Sequence, residues 1–124
     1  MQHLICFDMD RVLVDHLSTW QFVYDKLGVS NKEAFDLYNQ GKLDEWDWLK
    51  MDLALVKGAH PDITDEKMRE LCIGTPLMDG IKECLDWIIS NGHEVAIISG
   101  GMQETARDIA CMYPSDVPWR RRWG

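Results

Sequence analysis

The segment from 79 to 101, DGIKECLDWIISNGHEVAIISGG, constrains the fold of this chain more than any other. Its first part has a helical period that puts four apolar residues on one face: Ile81, Leu85, Ile88 and Ile89. Asn91-Gly92 would end that helix. The second part, HEVAIISGG, is an almost continuous apolar run of the type that is buried on both faces of a parallel sheet. A helix followed by such a strand is half of a βαβ unit, so the segment predicts an α/β fold.

A second apolar run, HLICF near the N-terminus, ends in two aspartates, Asp8 and Asp10. The run is short, partly β-branched and bounded by charge, which predicts a buried strand. Residues i and i+2 of a strand point to the same side, so both carboxylates would face a crevice at its carboxyl end. Ser99, Gly100 and Gly101 end the other strand. If the two strands are neighbours, these residues converge on one site.

Two carboxylates this close repel each other unless one is protonated or a cation lies between them. Mg²⁺, which prefers oxygen ligands, is the simplest cation to expect at Asp8 and Asp10. One carboxylate could then attack phosphorus, and the other could protonate the leaving oxygen and later activate water. The Ser99 hydroxyl and the Gly100 N–H suit a phosphoryl oxygen. The alternative interpretations are solvated carboxylates at a strand end and an ordinary SGG turn. The joint occurrence of the two motifs at two strand ends favours the functional interpretation.

The chain between the two strands is predicted to be helical. Four segments have helical periodicity: LSTWQFVYDKLG, NKEAFDLYNQG, LDEWDWLKMDLALVKG and HPDITDEKMRELC. The third has apolar residues on more than one face and is predicted to be covered on more than one side. We therefore divide the chain into a partial α/β core at 1–15 and 76–113, an inserted helical cap at 16–75, and an irregular tail at 114–124. The tail has two prolines and three consecutive arginines and no helical or strand period.

Charge and hydropathy exclude several classes of protein. The net charge of −8 argues against general binding to nucleic acid or to anionic membranes, because both require a cationic surface. Backbone N–H groups or a metal ion can still bind phosphate locally in an acidic protein. No apolar run approaches the roughly 20 residues of a membrane span, and no signal peptide is visible. The expected location is therefore the cytoplasm.

Several of these motifs resemble those of a known family. FDMDRVLVD resembles the first motif, D-x-D-x-[TV], of the haloacid dehalogenase (HAD) superfamily of phosphohydrolases, and VAIISGG resembles its second motif. The helical insertion after the first motif is similar to that superfamily's small helical cap. IISGG, GKLD and PLMDG are typical of phosphoserine-phosphatase-like members. The resemblance covers roughly residues 3 to 112.

The resemblance implies a HAD-like Rossmannoid core, with a partial parallel sheet, and Mg²⁺-dependent hydrolysis of a small phosphomonoester through an aspartyl-phosphate. Asp8 matches the nucleophile and a ligand of Mg²⁺, and Asp10 matches the general acid/base, with its backbone carbonyl also on Mg²⁺. Ser99 and the backbone of Gly100 match the phosphate-binding groups. The cap would close over the site and select a small phosphorylated metabolite.

The sequence departs from the family's pattern in three respects. Arg11 follows Asp10 where a small residue is usual. Its guanidinium could bind phosphate, or it could pair with Asp8 or Asp10 in place of the metal, and we favour the second. The glutamate and arginine that recognise phosphoserine fall at Leu17 and Asp52, so phosphoserine is not the expected substrate.

The third departure follows Ser99, where the superfamily has a lysine and a second acidic motif. The last lysine of this chain is Lys82. We expect a truncated or frame-shifted gene to explain the missing motifs and the unusual tail. The alternative function is then a non-catalytic binding module, completed at its open sheet edge by a partner chain or by a second copy of this chain.

Overall fold

The computed structural model describes residues 1–113 and, for the backbone alone, 119–121. The described part is a mixed α/β structure, and its strands and helices follow in this order: β1 Leu4–Phe7, α1 Thr19–Leu27, α2 Lys32–Asn39, α3 Glu45–Ala59, α4 Asp65–Cys72, α5 Ile81–Ser90, β2 Glu94–Ile97, α6 Gln103–Ala110 and β3 Trp119–Arg121. None of the helices described is both long and apolar enough to cross a membrane. The predicted α/β fold class is confirmed.

The two predicted strands are neighbours in a parallel sheet. Leu4 is paired with Glu94 and Phe7 with Ile97, and the Ile98 N–H extends the ladder by donating to the Phe7 carbonyl at 2.9 Å. This register brings the carboxyl ends of β1 and β2 to the same edge of the sheet. β3 pairs in parallel with the other side of β2.

β3 lies within the tail that the sequence predicted to be irregular. The tail has no strand period of its own, and the pairing with β2 provides the backbone partners that order residues 119–121. The rest of the tail, 114–118 and 122–124, lies outside the described residues.

The hydrophobic core of the sheet includes the predicted apolar face of α5 and the predicted apolar run of β2. Buried apolar residues come from the segment after β1, from α5, from β2 and from α6: Met9, Leu13, Val14, Leu85, Ile88, Val95, Ile97, Ala106 and Ile109. Ile5 and Phe7 of β1 are partly buried against them. Removal of this apolar surface from water, at about 25 cal/mol per Å², holds the helices on the sheet.

The chain divides into two compact units, one formed by Met1–Phe22 with Cys72–Gly124 and the other by Val23–Leu71. The second unit is helical and is shorter at both ends than the predicted cap of 16–75. Within the first unit, the chain on either side of the helical insertion forms an antiparallel pair. The Asp15 N–H donates to Pro76 O and the Met78 N–H donates to Leu13 O, both at 2.9 Å. This pairing lies at the predicted boundaries, 15 and 76.

The prediction that α3 is covered on more than one side is wrong. Its buried residues are Asp52 and Val56, whereas Trp46 is 73% exposed and Leu53 is 47% exposed. α3 has 15 residues and packs against α2, which has eight. One packed helix covers only one side of another, so apolar side chains on the other sides of α3 stay in contact with solvent.

Candidate active site

The two aspartates follow β1 on either side of a buried methionine. Asp8 is exposed, Met9 is 1% exposed and Asp10 is partly buried, which is the alternation expected where an extended strand leaves the sheet. The Met9 carbonyl accepts N–H groups from Val12 and Val14 at 3.2 and 2.9 Å, so the chain turns tightly just after Asp10. Both carboxylates are thus carried by a segment whose Met9 side chain is fixed in the core.

Each carboxylate has one oxygen occupied by a backbone N–H. Oδ1 of Asp8 accepts the Met9 N–H at 2.7 Å, and Oδ1 of Asp10 accepts the Thr19 N–H at 2.9 Å. These bonds fix the orientation of the two side chains. Neither Oδ2 accepts a hydrogen bond from the part of the chain that the structure describes, so both are available to a ligand.

The turn after β2 presents two donors of the kind that bind a phosphoryl group. The Gly101 N–H donates to Ser99 Oγ at 3.0 Å, so this hydroxyl acts as an acceptor within the turn and its own proton can be donated outwards. The Gly100 N–H has no acceptor among residues 1–113, whereas the Gly100 carbonyl accepts from Trp20 Nε1 at 2.9 Å.

Asp10 and the turn after β2 are in close proximity. A Cβ atom on Gly101 would lie 3.0 Å from Asp10 Oδ2 and 2.7 Å from Thr19 Oγ1, distances too short for a real side chain. The structure therefore places Asp10 against the turn that carries Ser99 and Gly100, and the strand register puts Asp8 at the same end of the sheet.

Thr19 and Trp20 contribute to this site but were not predicted by the sequence. Thr19 is 1% exposed; its N–H donates to Asp10 Oδ1, and its Oγ1 accepts the Met102 N–H at 2.7 Å. Trp20 donates to the Gly100 carbonyl. A threonine at the start of a helix is a familiar capping signal, but its partners here are distant in sequence and have no local signature.

Arg11 adopts a left-handed backbone conformation with φ of 63°, and its N–H donates to the His16 carbonyl at 3.2 Å. Glycine adopts this conformation without steric cost, which gives a physical reason for the small residue usual at this position in the resembled motif. The Arg11 side chain is exposed, and its guanidinium pairs with neither Asp8 nor Asp10. The ion pair that we favoured from the sequence is therefore not seen in the structure.

The two carboxylates suit Mg²⁺ in the chemistry of their donor atoms. Among the described residues there is no group of three or more His, Cys, Asp or Glu side chains that could enclose a metal. Mg²⁺ commonly binds through one or two carboxylates and completes its shell with phosphate oxygens and water. Asp8 and Asp10 therefore fit a metal site shared with a bound phosphate, and do not fit a cage made by protein ligands alone.

Comparison with solved structures identifies the fold. A HAD family hydrolase from Salmonella enterica subsp. enterica serovar Typhi superposes with a TM-score of 0.74 over 98% of this chain, at 20% sequence identity. The chain has a HAD-like fold. A HAD-hydrolase from Bacillus subtilis, YfnB, in a structure bound to magnesium, superposes with a TM-score of 0.51 over 90% of the chain, at 12% identity.

This HAD-like chain spans 40% of the length of the Salmonella hydrolase and 60% of the length of YfnB. No protein-family model and no curated protein matches its sequence. At these identities the likeness establishes the fold and leaves the activity to be argued from the site.

Proposed function

We propose that this chain hydrolyses a small phosphomonoester with the help of Mg²⁺, through an aspartyl-phosphate intermediate on Asp8. One observation carries the proposal. The carboxylates of Asp8 and Asp10 and the phosphate-type donors of Ser99 and Gly100 lie at the same edge of a parallel sheet, where α/β proteins bind their ligands. The HAD-like fold of the chain supports it.

In the proposed reaction the exposed Oδ2 of Asp8 attacks the phosphorus, and the bond from phosphorus to the leaving oxygen breaks. Asp10, held through its Oδ1 by Thr19, gives a proton to the leaving oxygen and then accepts one from the water that hydrolyses the aspartyl-phosphate. The Ser99 hydroxyl and the Gly100 N–H hold a phosphoryl oxygen. When bound, Mg²⁺ would be held by the Asp8 carboxylate and the Asp10 backbone carbonyl and would neutralise charge on the phosphoryl oxygens.

Arg11 is assigned to phosphate binding in this proposal. Its guanidinium is exposed and forms no ion pair with the described carboxylates, so it is available to a phosphoryl oxygen. A guanidinium binds phosphate through paired N–H donors. It also supplies a positive charge in a chain that has no lysine after Lys82.

The substrate is proposed to be a small phosphorylated metabolite other than phosphoserine. The sequence is phosphoserine-phosphatase-like in its IISGG, GKLD and PLMDG segments, but Asp52 stands where the family's arginine would bind the serine carboxylate. Asp52 is 8% exposed and accepts hydrogen bonds from Tyr24 and Asn31. A buried carboxylate cannot provide the positive charge that a serine carboxylate requires.

The test is hydrolysis of p-nitrophenyl phosphate with and without Mg²⁺, comparing the wild-type chain with Asp8→Asn. Asn has nearly the same shape but is a poor nucleophile, so we expect a loss of roughly 10³-fold or more in kcat with an unchanged circular dichroism spectrum. Asp15→Asn is the matched control, because the Asp15 side chain is exposed and only its backbone is used in the fold. Equal activity in Asp8→Asn and wild type, or no activity in a folded wild-type chain, would refute the proposal.

A second candidate is a non-catalytic module whose sheet is completed by another copy of this chain. Leu4 is 51% exposed and Ile98 is 52% exposed, and Cys6 is exposed between them. β1 is an outer strand of the described sheet, and the parallel register and the alternation of side chains place all three residues on one face beside that edge. A folded dimer with no turnover, converted to a monomer by Leu4→Lys, would support this candidate over the enzyme.

A further inference from the structure

We infer that Thr19 is a positioning residue, which aligns the proposed general acid/base Asp10 with the proposed phosphate-binding turn from Ser99 to Met102. This inference rests on the proposed function. It assigns a role to the first residue of α1, which belongs to neither of the two motifs.

Thr19 joins the two parts of the site by two different groups. Its backbone N–H donates to Asp10 Oδ1 at 2.9 Å, and its side-chain Oγ1 accepts the Met102 N–H at 2.7 Å. Thr19 is 1% exposed and Met102 is 6% exposed, so water cannot take the place of the hydroxyl. One buried residue therefore sets the distance between the segment after β1 and the segment after β2.

The next residue supports the same alignment. Trp20 Nε1 donates to the Gly100 carbonyl at 2.9 Å, and the Gly101 N–H donates to Ser99 Oγ at 3.0 Å. The peptide group between Gly100 and Gly101 is thus held at both of its polar atoms. This arrangement keeps the Ser99 hydroxyl proton and the Gly100 N–H available to a phosphoryl oxygen.

Removal of the Thr19 hydroxyl breaks the bond to Met102 and leaves the bond to Asp10 in place. Thr19→Val has nearly the same shape and keeps the backbone N–H to Asp10, but it leaves the Met102 N–H buried without an acceptor. Thr19→Ser keeps the acceptor. A displacement of the turn by about 1 Å is enough to reduce the rate by roughly 10- to 100-fold, because transition-state contacts depend steeply on geometry.

The first experiment compares kcat and KM for p-nitrophenyl phosphate in wild type, Thr19→Val and Thr19→Ser. We expect kcat to fall roughly 10-fold or more in Thr19→Val, with a smaller rise in KM, and to stay within about 3-fold of wild type in Thr19→Ser. Similar losses in the two variants, or none in Thr19→Val, would overturn the inference.

A second measurement does not depend on turnover and so separates this inference from the proposed function. In amide hydrogen exchange followed by NMR, the Met102 N–H should lose protection in Thr19→Val and keep it in Thr19→Ser. Titration with inorganic phosphate, followed at the Gly100 amide, should show weaker binding only in the valine variant. If wild type binds phosphate in this way but does not hydrolyse p-nitrophenyl phosphate, the proposed function fails and the positioning role stands.

Trp20→Phe keeps the inference testable should Thr19→Val fail to fold. Phenylalanine retains most of the apolar ring but has no N–H to donate to the Gly100 carbonyl. We expect weaker phosphate binding at the Gly100 amide in this variant, with the exchange of the Met102 N–H unchanged. Phosphate binding equal to that of wild type would contradict the inference that contacts from the start of α1 align the turn.

Discussion

The Cα of Gly101 approaches Asp10 so closely that a Cβ atom on Gly101 would lie 3.0 Å from the Asp10 carboxylate oxygen Oδ2. The same atom would lie 2.5 Å from Met9 Cε and 2.7 Å from Thr19 Oγ1. Met9 and Thr19 are each 1% exposed, so both side chains are enclosed by protein atoms. The absence of a side chain at Gly101 is therefore what allows the turn after β2 to reach Asp10.

The variant Gly101→Ala tests this close approach. The added methyl group must displace Met9, Thr19 or Asp10, and such overpacking typically lowers the free energy of unfolding by about 1–3 kcal/mol. We expect that loss in urea denaturation, together with a lower kcat for p-nitrophenyl phosphate. Gly100→Ala is the control for stability, because a Cβ on Gly100 would meet no atom within 4 Å. A Gly101→Ala variant that is as stable and as active as wild type would contradict this packing.

The sheet and the helix that covers it could be predicted because their sequence patterns are local. Leu85 and Ile88 recur at helical spacing, and Val95 to Ile97 form an unbroken apolar run, so each element is specified within a few residues. α3 was harder to predict, because the burial of its apolar residues depends on the size of its neighbours. Trp46 fits a helical stripe, but α2 packs against Trp48 through Phe35 and Tyr38, and Trp46 stays exposed.

The candidate site was predictable only in part. Asp8, Asp10 and Ser99 stand at strand ends within recognisable motifs, and the parallel register then brings the strand ends together. Thr19 and Trp20 have no such signature. Their partners at Met102 and Gly100 are more than 75 residues away in the chain, and a single hydrogen bond across that separation leaves no periodic pattern in the sequence.

Arg11→Gly tests two separate effects of Arg11: the strain of its backbone, which affects stability, and the charge of its side chain, which affects phosphate binding. At φ of 63° the Arg11 backbone is strained, and glycine relieves that strain while making the unfolded chain more flexible. We expect the free energy of unfolding to rise by about 1 kcal/mol or less. KM for p-nitrophenyl phosphate should rise several-fold, because a phosphate ligand is lost, with a smaller change in kcat.

Arg11→Lys is the matched control, since it keeps both the positive charge and the strained backbone. We expect unchanged stability and a KM between those of wild type and Arg11→Gly. Higher activity of Arg11→Gly at limiting Mg²⁺ would instead indicate that the arginine competes with the metal, as the sequence first suggested.

Asp52 is predicted to stabilise the helical unit. It is 8% exposed, and its two carboxylate oxygens accept the Tyr24 hydroxyl at 3.0 Å and Asn31 Nδ2 at 2.7 Å. Asp52→Ala removes both acceptors, one of which serves the buried Tyr24 hydroxyl, and this should cost about 2–4 kcal/mol in the free energy of unfolding. Urea denaturation followed by tryptophan fluorescence measures the loss.

The control for Asp52 is Asp62→Ala, an exposed aspartate in the same unit, for which we expect a change of at most about 0.5 kcal/mol. If Asp52→Ala lowers the free energy of unfolding no more than Asp62→Ala does, the hydrogen bonds of Asp52 do not stabilise the unit.

Two tyrosines are expected to make the protein less stable in alkali. Burial, together with the neighbouring charge of Asp52 and the hydrogen bond to it, raises the pKa of Tyr24 above its usual value. Burial and then Asp86 raise the pKa of Tyr113 to about 12. An unfolded tyrosine titrates near pH 10, so above that pH the unfolded chain releases protons that the folded chain still holds. Stability is therefore unaffected by these groups below about pH 10 and decreases as the pH rises towards 12.

The measurement is the free energy of unfolding in urea at pH 9, 10 and 11, for wild type, Tyr24→Phe and Tyr113→Phe. Each proton that only the unfolded chain releases contributes a slope of about 1.4 kcal/mol per pH unit. Phenylalanine has no proton to release, so the free energy of unfolding of each variant should fall less steeply above pH 10 than that of wild type. This holds even if a variant is less stable than wild type at pH 9 because it lacks the tyrosine hydrogen bond. Lysines titrate in the same range, but they are common to all three proteins and cancel in the comparison. Identical slopes in the three proteins would mean that neither hydroxyl is held in the folded state as described.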